Sequence, residues 1–484
     1  MKEYKSIVAA VVLIAVSLIA LYLLFTAKSA NIVVRVVLAL ALLVAVGSMM
    51  RKAFKLNGGY GLYMAGSKKG LATIDHISKK YGTFWDFMAM WGLTLGFGLL
   101  TYPLLKGKID KRVYAFGIVS LLVILFLVLP YISYGFQFIN ISQIQTAISS
   151  SQASGHSSPS IATYAIYAVT VLAGFSGLIL SSLFINTESI LYSFILFATN
   201  PSLGAAGSGI SSQIPGVAPI IPGIDIPLIA GIISLAVLLM IHEFSHGVLA
   251  RRAKVKLKEI GVLMFGFIPI GGYVEPDEKM VNRLDSTKQT KIFSAGISAN
   301  FIAMLVFFAL MMAVLYYVAP GAYHYGVVIT GTIPGYPASG VLSKGMQVLK
   351  WNNYTVSGIS NLTAASASDR PNSTITVLTS TGTYMIRAVA DPSNSSKGLI
   401  GVSLGSEPIL NTPYAKAVYF AYTVFALSML LNFLVAVVNL LPIPGLDGWR
   451  IYMVNIKSER FTKTLGAFII ILLIINVLPW IFYL

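Results

Sequence analysis

Leu238-Leu239-Met240-Ile241-His242-Glu243-Phe244-Ser245-His246-Gly247 sets two histidines and a glutamate inside a long apolar run. Histidines at i and i+4 stand on one face of a helix, one turn apart, so both imidazoles can reach one metal ion while Glu243 flanks the open side. Zinc hydrolases use this arrangement. An ionisable residue at the bilayer centre costs about 2.5–3.5 kcal/mol on insertion scales, so such a trio is rarely retained without a metal, a partner or a pathway to serve. The run that carries it is long enough to cross a membrane, and the same residues therefore decide the fold class: a polytopic α-helical membrane protein.

Composition agrees. The 484 residues are 56% hydrophobic and 11% charged, with a mean hydropathy of +0.79. The net charge of +17 comes from basic residues clustered beside apolar spans, not spread over a soluble face. That distribution fits anchoring to an anionic lipid bilayer and excludes nucleic acid as a partner. The absence of cysteine removes disulfides, thiolate metal sites and Cys nucleophiles, so any metal is held by His, Asp or Glu. Residues 6–26 lack a small-residue cleavage site after an h-region of normal length and read as a first transmembrane helix.

Apolar stretches of spanning length fall at 6–26, 32–50, 84–105, 113–136, 160–184, 226–250, 295–318, 414–441 and 464–483, with a short tenth at 187–199, giving 8–10 transmembrane helices. Arg51, Lys52, Lys55, Lys68, Lys69, Lys79 and Lys80 make 51–82 cytoplasmic. The same rule makes 106–112 cytoplasmic, although a span separates the two. Residues 137–160, uncharged and Ser-rich, read as an extracytoplasmic linker in which His156 is solvated. The Pro-rich loop 201–225 delivers the chain to the motif helix, and a rise of ~1.5 Å per residue puts His242 about 24 Å along it.

Arg251, Arg252, Lys254, Lys256 and Lys258 mark the end of that helix as cytoplasmic, whereas 319–412 begins and ends without basic residues and reads as external. Sequons at Asn353, Asn361, Asn372 and Asn394 agree with an exported surface. Residues 262–274, rich in β-formers but broken by Pro269 and Gly271-Gly272, predict a strand or hairpin that dips towards the motif. It is either an edge for an extended substrate or an ordinary structural hairpin. Residues 325–405 alternate strand-like runs with turn residues and predict one small soluble β-rich domain.

A catalytic zinc takes three protein ligands and keeps one open position, so without Cys the third ligand is an acid or another His. Asp447, in Asn439-Leu440-Leu441-Pro442-Ile443-Pro444-Gly445-Leu446-Asp447-Gly448, combines matching membrane depth with a loop able to turn a side chain inward. Spacing alone leaves other acids open.

Together, His242-Glu243-Phe244-Ser245-His246-Gly247, the segment ending in Leu446-Asp447-Gly448, Gly296-Ile297-Ser298-Ala299-Asn300 and Gly271-Gly272-Tyr273-Val274 resemble the site-2 protease family of intramembrane zinc metalloproteases. The resemblance covers 222–460. It implies one Zn2+ on His242, His246 and Asp447, Glu243 as catalytic base, Asn300 and Asn439 lining the site, and the loop at Gly271 and Gly272 guiding a transmembrane protein or peptide substrate. It further implies a PDZ-like module at 319–412, where Met346 departs from the Asp common after the Gly, and the span carrying Gly296 lacks the Pro that often follows that Gly. The expected organisation is a transmembrane region at 1–200, catalytic core at 201–318, an extracytoplasmic PDZ-like domain at 319–412 and a second core part at 413–484. In the cell membrane the site would face the cytoplasmic side, and the substrate would be a membrane-tethered regulator or a signal-peptide remnant. Two rivals remain: a membrane metalloprotease whose third ligand is a Glu on a later helix, and a non-enzymatic scaffold or transporter working through the PDZ-like domain.

Overall fold

The computed structural model describes residues 2–26, 32–139, 161–199, 216–217, 220–392, 394–410 and 412–482. The linker from 140 onward with His156, and 201–215 of the Pro-rich loop, lie outside the described residues. Two compact units emerge. One combines Met1–Ile148, His156–Ala309 and Thr423–Leu484; the other is built on Leu310–Tyr422.

Among the described residues, eight helices of the chain are long and apolar enough to cross a membrane. Helices suit these runs because hydrocarbon offers no water to the backbone, so every N–H and C=O must be satisfied within the protein. Helices α1 (Lys2–Thr26) and α2 (Ile32–Phe54) pack against each other. Strands β1 (Asn57–Gly59) and β2 (Leu62–Ser67) follow, then α3 (Lys69–Lys80), whose Ile74 is fully buried.

Two of the apolar stretches do not cross as expected. Helix α4 (Gly82–Phe97) breaks at Gly98, φ 55°, and α5 (Thr101–Leu104) runs back beside it. The Thr101 hydroxyl donates to Leu93 O at 3.3 Å, where a continuing helix would hold them about 12 Å apart. After α6 (Lys111–Val123), capped by the Asp110 carboxylate, the long helix α7 (Ile161–Thr199) is interrupted at Gly174, φ 63°. A Cβ on Gly177 would lie 2.8 Å from Val169 O, so the second limb folds back on the first. The two tips meet: a Cβ on Gly98 would lie 2.4 Å from Val171 O, and one on Gly174 2.4 Å from Gly96 O.

Residues 84–105 and 160–184 are thus limbs of re-entrant hairpins, and 187–199 is the end of α7, not a further span. Hydropathy reports the length of an apolar run but not its direction, and a single glycine at positive φ reverses it. Thr101–Leu104 turns the chain back along α4, and α6 then packs against α4.

Helix α8 (Leu228–Arg252) carries the motif and ends in an ion network: Arg251 to Asp75 at 3.2 Å, Arg252 to Asp86 at 3.1 Å, and Lys291 to Asp86 at 2.9 Å. The β-rich stretch after it forms the hairpin of β3 (Leu257–Phe265) and β4 (Ile268–Pro276), antiparallel, in a sheet ordered β1-β2-β3-β4. Helix α9 (Ser286–Ala313) packs closely on α4, where the Ser294 and Ser298 hydroxyls donate to Ala89 O at 3.3 and 3.2 Å.

In the second unit β5 (Tyr323–Thr332) pairs with a later strand, Val402–Leu410, while Val348–Trp351, Tyr354–Thr355, Thr374–Thr379 and Gly382–Arg387 form a four-stranded sheet. Val327, Ile329, Val348, Trp351, Ile375 and Val377 fill its core. The buried Asp369 carboxylate accepts from Trp351 Nε1 at 2.8 Å and from Asn352 Nδ2 at 3.1 Å. Burial pushes that carboxyl above its usual range against these two bonds, which act to lower it. All four sequon asparagines, Asn353, Asn361, Asn372 and Asn394, are exposed.

At the touching tips a new Cβ would meet backbone that cannot swing aside, and a non-glycine residue at positive φ costs a further ~1–2 kcal/mol. Gly98→Ala and Gly174→Ala are therefore expected to lower the thermal midpoint in detergent or to prevent recovery of folded protein. Gly59→Ala, where nothing lies within 4 Å, is expected to leave the midpoint unchanged in the same scan.

Candidate active site

Pro227 stands at the N-cap of α8, where its missing N–H costs no intrahelical bond, and the unbroken apolar run then carries the helix to His242 and His246. His242 is buried, and Glu243 beside it is half-buried. The two Nε2 atoms are 3.2 Å apart. The acid comes from much later in the chain. Helix α10 (Ile359–Ser366) belongs to the second unit; α11 (Ala415–Val438) brings the chain back to the Pro-rich loop, and Asp447 opens α12 (Asp447–Asn455).

Sequence explains the placement of that acid. Gly445 takes φ 98°, which turns the loop. The Gly448 N–H then donates to Asn439 O at 2.6 Å. A Cβ on Gly448 would sit 2.5 Å from Leu440 O, so glycine must follow the aspartate for α12 to start here. The far end of α12 is tied to α9 by Asn455 Nδ2 donating to Thr290 Oγ1 at 2.8 Å.

Asp447 Oδ2 lies 3.3 Å from His242 Nε2 and 3.2 Å from His246 Nε2. The three atoms form a nearly equilateral triangle, and among the described residues this is the group able to hold a metal ion. Tetrahedral zinc with bonds of ~2.0–2.1 Å has ligand-to-ligand edges of about 3.3 Å, so the triangle matches one face of that tetrahedron. Beyond the two imidazole nitrogens, the buried Asp447 Oδ2 has no hydrogen-bond partner, as a metal-directed oxygen should. The residues therefore fit zinc. Of the rival carboxylates, Glu259 bonds Tyr273, Glu275 pairs with Lys258, Glu278 with Arg450 and Glu459 with Lys463, while Glu407 lies on the strand Val402–Leu410 of the second unit.

Helix α9 supplies the wall behind the triangle through one face, Ile292, Gly296 and Asn300, each a turn apart. His246 Nδ1 is 2.8 Å from Ile292 O, which leaves Nε2 free to ligate. Gly296 has no substitute: a Cβ there would lie 2.4 Å from His242 Cε1 and 2.5 Å from Nε2 of both histidines. Asn300, fully buried, stands 3.1 Å from His242 Nδ1. Gly296 and Asn300 stand out in the sequence; the Ile292 carbonyl does not, although its spacing of four from Gly296 puts it on the same helix face.

On the other side β4 lies against the motif helix. A Cβ on Gly272 would be 3.3 Å from Glu243 Cγ and 3.4 Å from Leu239 O, while Gly271 faces Leu263 on β3. Gly272 lets the strand approach the glutamate closely. Tyr273 fastens this hairpin, its hydroxyl donating to Glu259 Oε1 at 2.7 Å. Burial, then the Glu259 carboxylate, hold the Tyr273 phenol well above its usual range, so it remains a donor. Asn439, just past α11, is half-buried and its Nδ2 donates back to Val435 O of that helix at 3.0 Å.

A family model, peptidase family M50, matches residues 230–478, just over half of the chain. Among curated proteins, one from Methanocaldococcus jannaschii, described only as uncharacterized, is 25% identical over 246 residues; the match covers 50% of this chain and 62% of that relative.

Gly296→Ala should therefore abolish metal retention as fully as Asp447→Ala, the first by displacing both imidazoles and the second by removing a ligand. Metal analysis of the purified variants against wild type checks this; either variant holding zinc in wild-type amount contradicts the site.

Proposed function

The chain belongs to peptidase family M50, the site-2 protease family, and from that premise we propose that it is a zinc endopeptidase cutting within or near the cytoplasmic end of a substrate's transmembrane helix. The triangle of His242, His246 and Asp447 beside Glu243 carries this reading. Its framework is that of a multi-pass membrane metallopeptidase.

Bound to these three residues, zinc supplies Lewis acidity, which acidifies water and polarises the scissile carbonyl. Glu243 takes the proton from the attacking water and returns it to the departing amine. A substrate helix hides its carbonyls in i to i−4 bonds and must unwind before attack. The edge of β4, last in its sheet and in contact with Glu243, suits an unwound segment that pairs as a further strand. Gly or Pro in the substrate lowers the cost of unwinding by ~1–3 kcal/mol per residue relative to Ala.

Basic residues at 51–82, 106–112 and 251–258 support a cytoplasmic placement of the α8 end, with 319–412 outside. On that topology the product is released into the cytoplasm. The outer β-rich domain, read as PDZ-like, would test whether a substrate's external part has been trimmed. A membrane-tethered regulator or a signal-peptide remnant is the substrate class that fits.

Glu243→Gln keeps the size of the side chain and removes the base, so turnover of a helical substrate in detergent should fall roughly 10²–10⁴-fold while zinc content stays at the wild-type level. Activity within a few-fold of wild type would remove Glu243 from the mechanism. Sidedness is read by cysteine labelling, since the chain has no cysteine. Ser339→Cys should react from outside and Asn282→Cys from inside; the reverse pattern would overturn the cut-site depth and leave the chemistry untouched.

A further inference from the structure

The Asn300 amide nitrogen faces His242 Nδ1 at 3.1 Å, and the Asn300 amide oxygen, buried, has no hydrogen-bond partner. Resting on the metal reading above, ligation through Nε2 leaves the imidazole proton only Nδ1, so His242 as a ligand is a donor on the side that faces Asn300. An NH2 group there would oppose donor to donor beside an unsatisfied oxygen. Turning the amide end for end preserves the side chain's shape, lets Oδ1 accept the Nδ1–H, and gives the orphaned oxygen its partner. The donor-to-donor conflict at His242 Nδ1 decides the orientation, since with Nε2 on the metal only the amide oxygen makes a hydrogen bond there.

We infer that Asn300 is the positioning residue that fixes His242 in its metal-ligating tautomer, accepting the Nδ1–H on Oδ1. It does for His242 what the Ile292 carbonyl does for His246. Both imidazoles are thereby oriented from α9, two turns of one helix setting the direction of two ligands on another. Complete burial behind His242 assigns Asn300 to this task and not to contact with substrate.

The test is zinc affinity of the purified full chain, measured by competition with a chromogenic chelator, for wild type, Asn300→Leu and Asn300→Asp. Leu removes the acceptor and should weaken zinc about 10–100-fold, the usual cost of losing such an outer partner. Asp restores an acceptor and should hold zinc within a few-fold of wild type or more tightly. Thermal unfolding before zinc addition establishes that each variant is folded. An Asn300→Leu protein that binds zinc like wild type, or a folded Asn300→Asp protein that loses affinity as Leu is expected to, overturns the inference.

Should Leu fail to fold, histidine-selective 15N spectra of the zinc-loaded wild type and Asn300→Asp decide. The His242 Nδ1 proton should move downfield when the amide acceptor becomes a carboxylate; no movement overturns the inference. Wild-type protein that binds no zinc defeats the metal reading itself, a different outcome from zinc bound with equal affinity by all three proteins.

Discussion

The fold depends on holding two imidazole nitrogens and one carboxylate oxygen 3.2–3.3 Å from one another where water is scarce. Each is a polar group that hydrocarbon rejects, and a buried carboxylate beside two imidazoles is stabilised by a positive charge shared among them. The surrounding helices are arranged to make that convergence rigid. Helix α9 has a glycine where a methyl group would strike the histidines, and a carbonyl and an amide where their outer nitrogens need partners. Helix α12 is pinned at one end by Gly448 against Leu440 and at the other by Asn455 on Thr290.

A second constraint is backbone satisfaction. The hairpins that turn at Gly98 and Gly174 bring unwound chain to membrane depth, which is tolerated only where protein covers it. Their tips cover each other. The limb before Gly98 also lies directly on α9, with Gly92 against Ser298, and Phe175 beyond the second tip packs on Phe301 and Phe433. The N-terminal part of the chain is therefore part of the wall behind the metal triangle. Strands β1 and β2 extend the same sheet whose last strand touches Glu243, and Asp75 and Asp86 neutralise the arginines at the end of the motif helix.

That construction bears on how a peptide would reach the site. Gly272 of β4 removes a side chain where the strand passes Glu243, and the Tyr273 to Glu259 bond fastens the hairpin from its other face. A substrate strand laid on β4 would exchange its own helical hydrogen bonds for sheet bonds, so the unwinding cost is offset within the protein. Family membership and this geometry support the same proposed chemistry.

Much of this was determined by the sequence alone. The i, i+4 histidines with Glu243 specified a metal-binding helix face, apolar length specified membrane helices, and alternation with turn residues specified the β-rich domain at 325–405 and the hairpin at 262–274. All of these are local signals, carried by periodicities of a few residues. What only the tertiary structure decided is what periodicity cannot encode. Asp447 was already a candidate by its depth in the sequence, but other acids stayed open; that its Oδ2 meets both imidazole nitrogens at 3.2–3.3 Å is a matter of three-dimensional path. The reversals at Gly98 and Gly174 were hidden because hydropathy is the same whether a chain crosses or turns back. Asn300 was legible as a residue near the site, but its partner was not, since a hydrogen bond to His242 depends on how two helices pack and leaves no trace in either helix's own pattern.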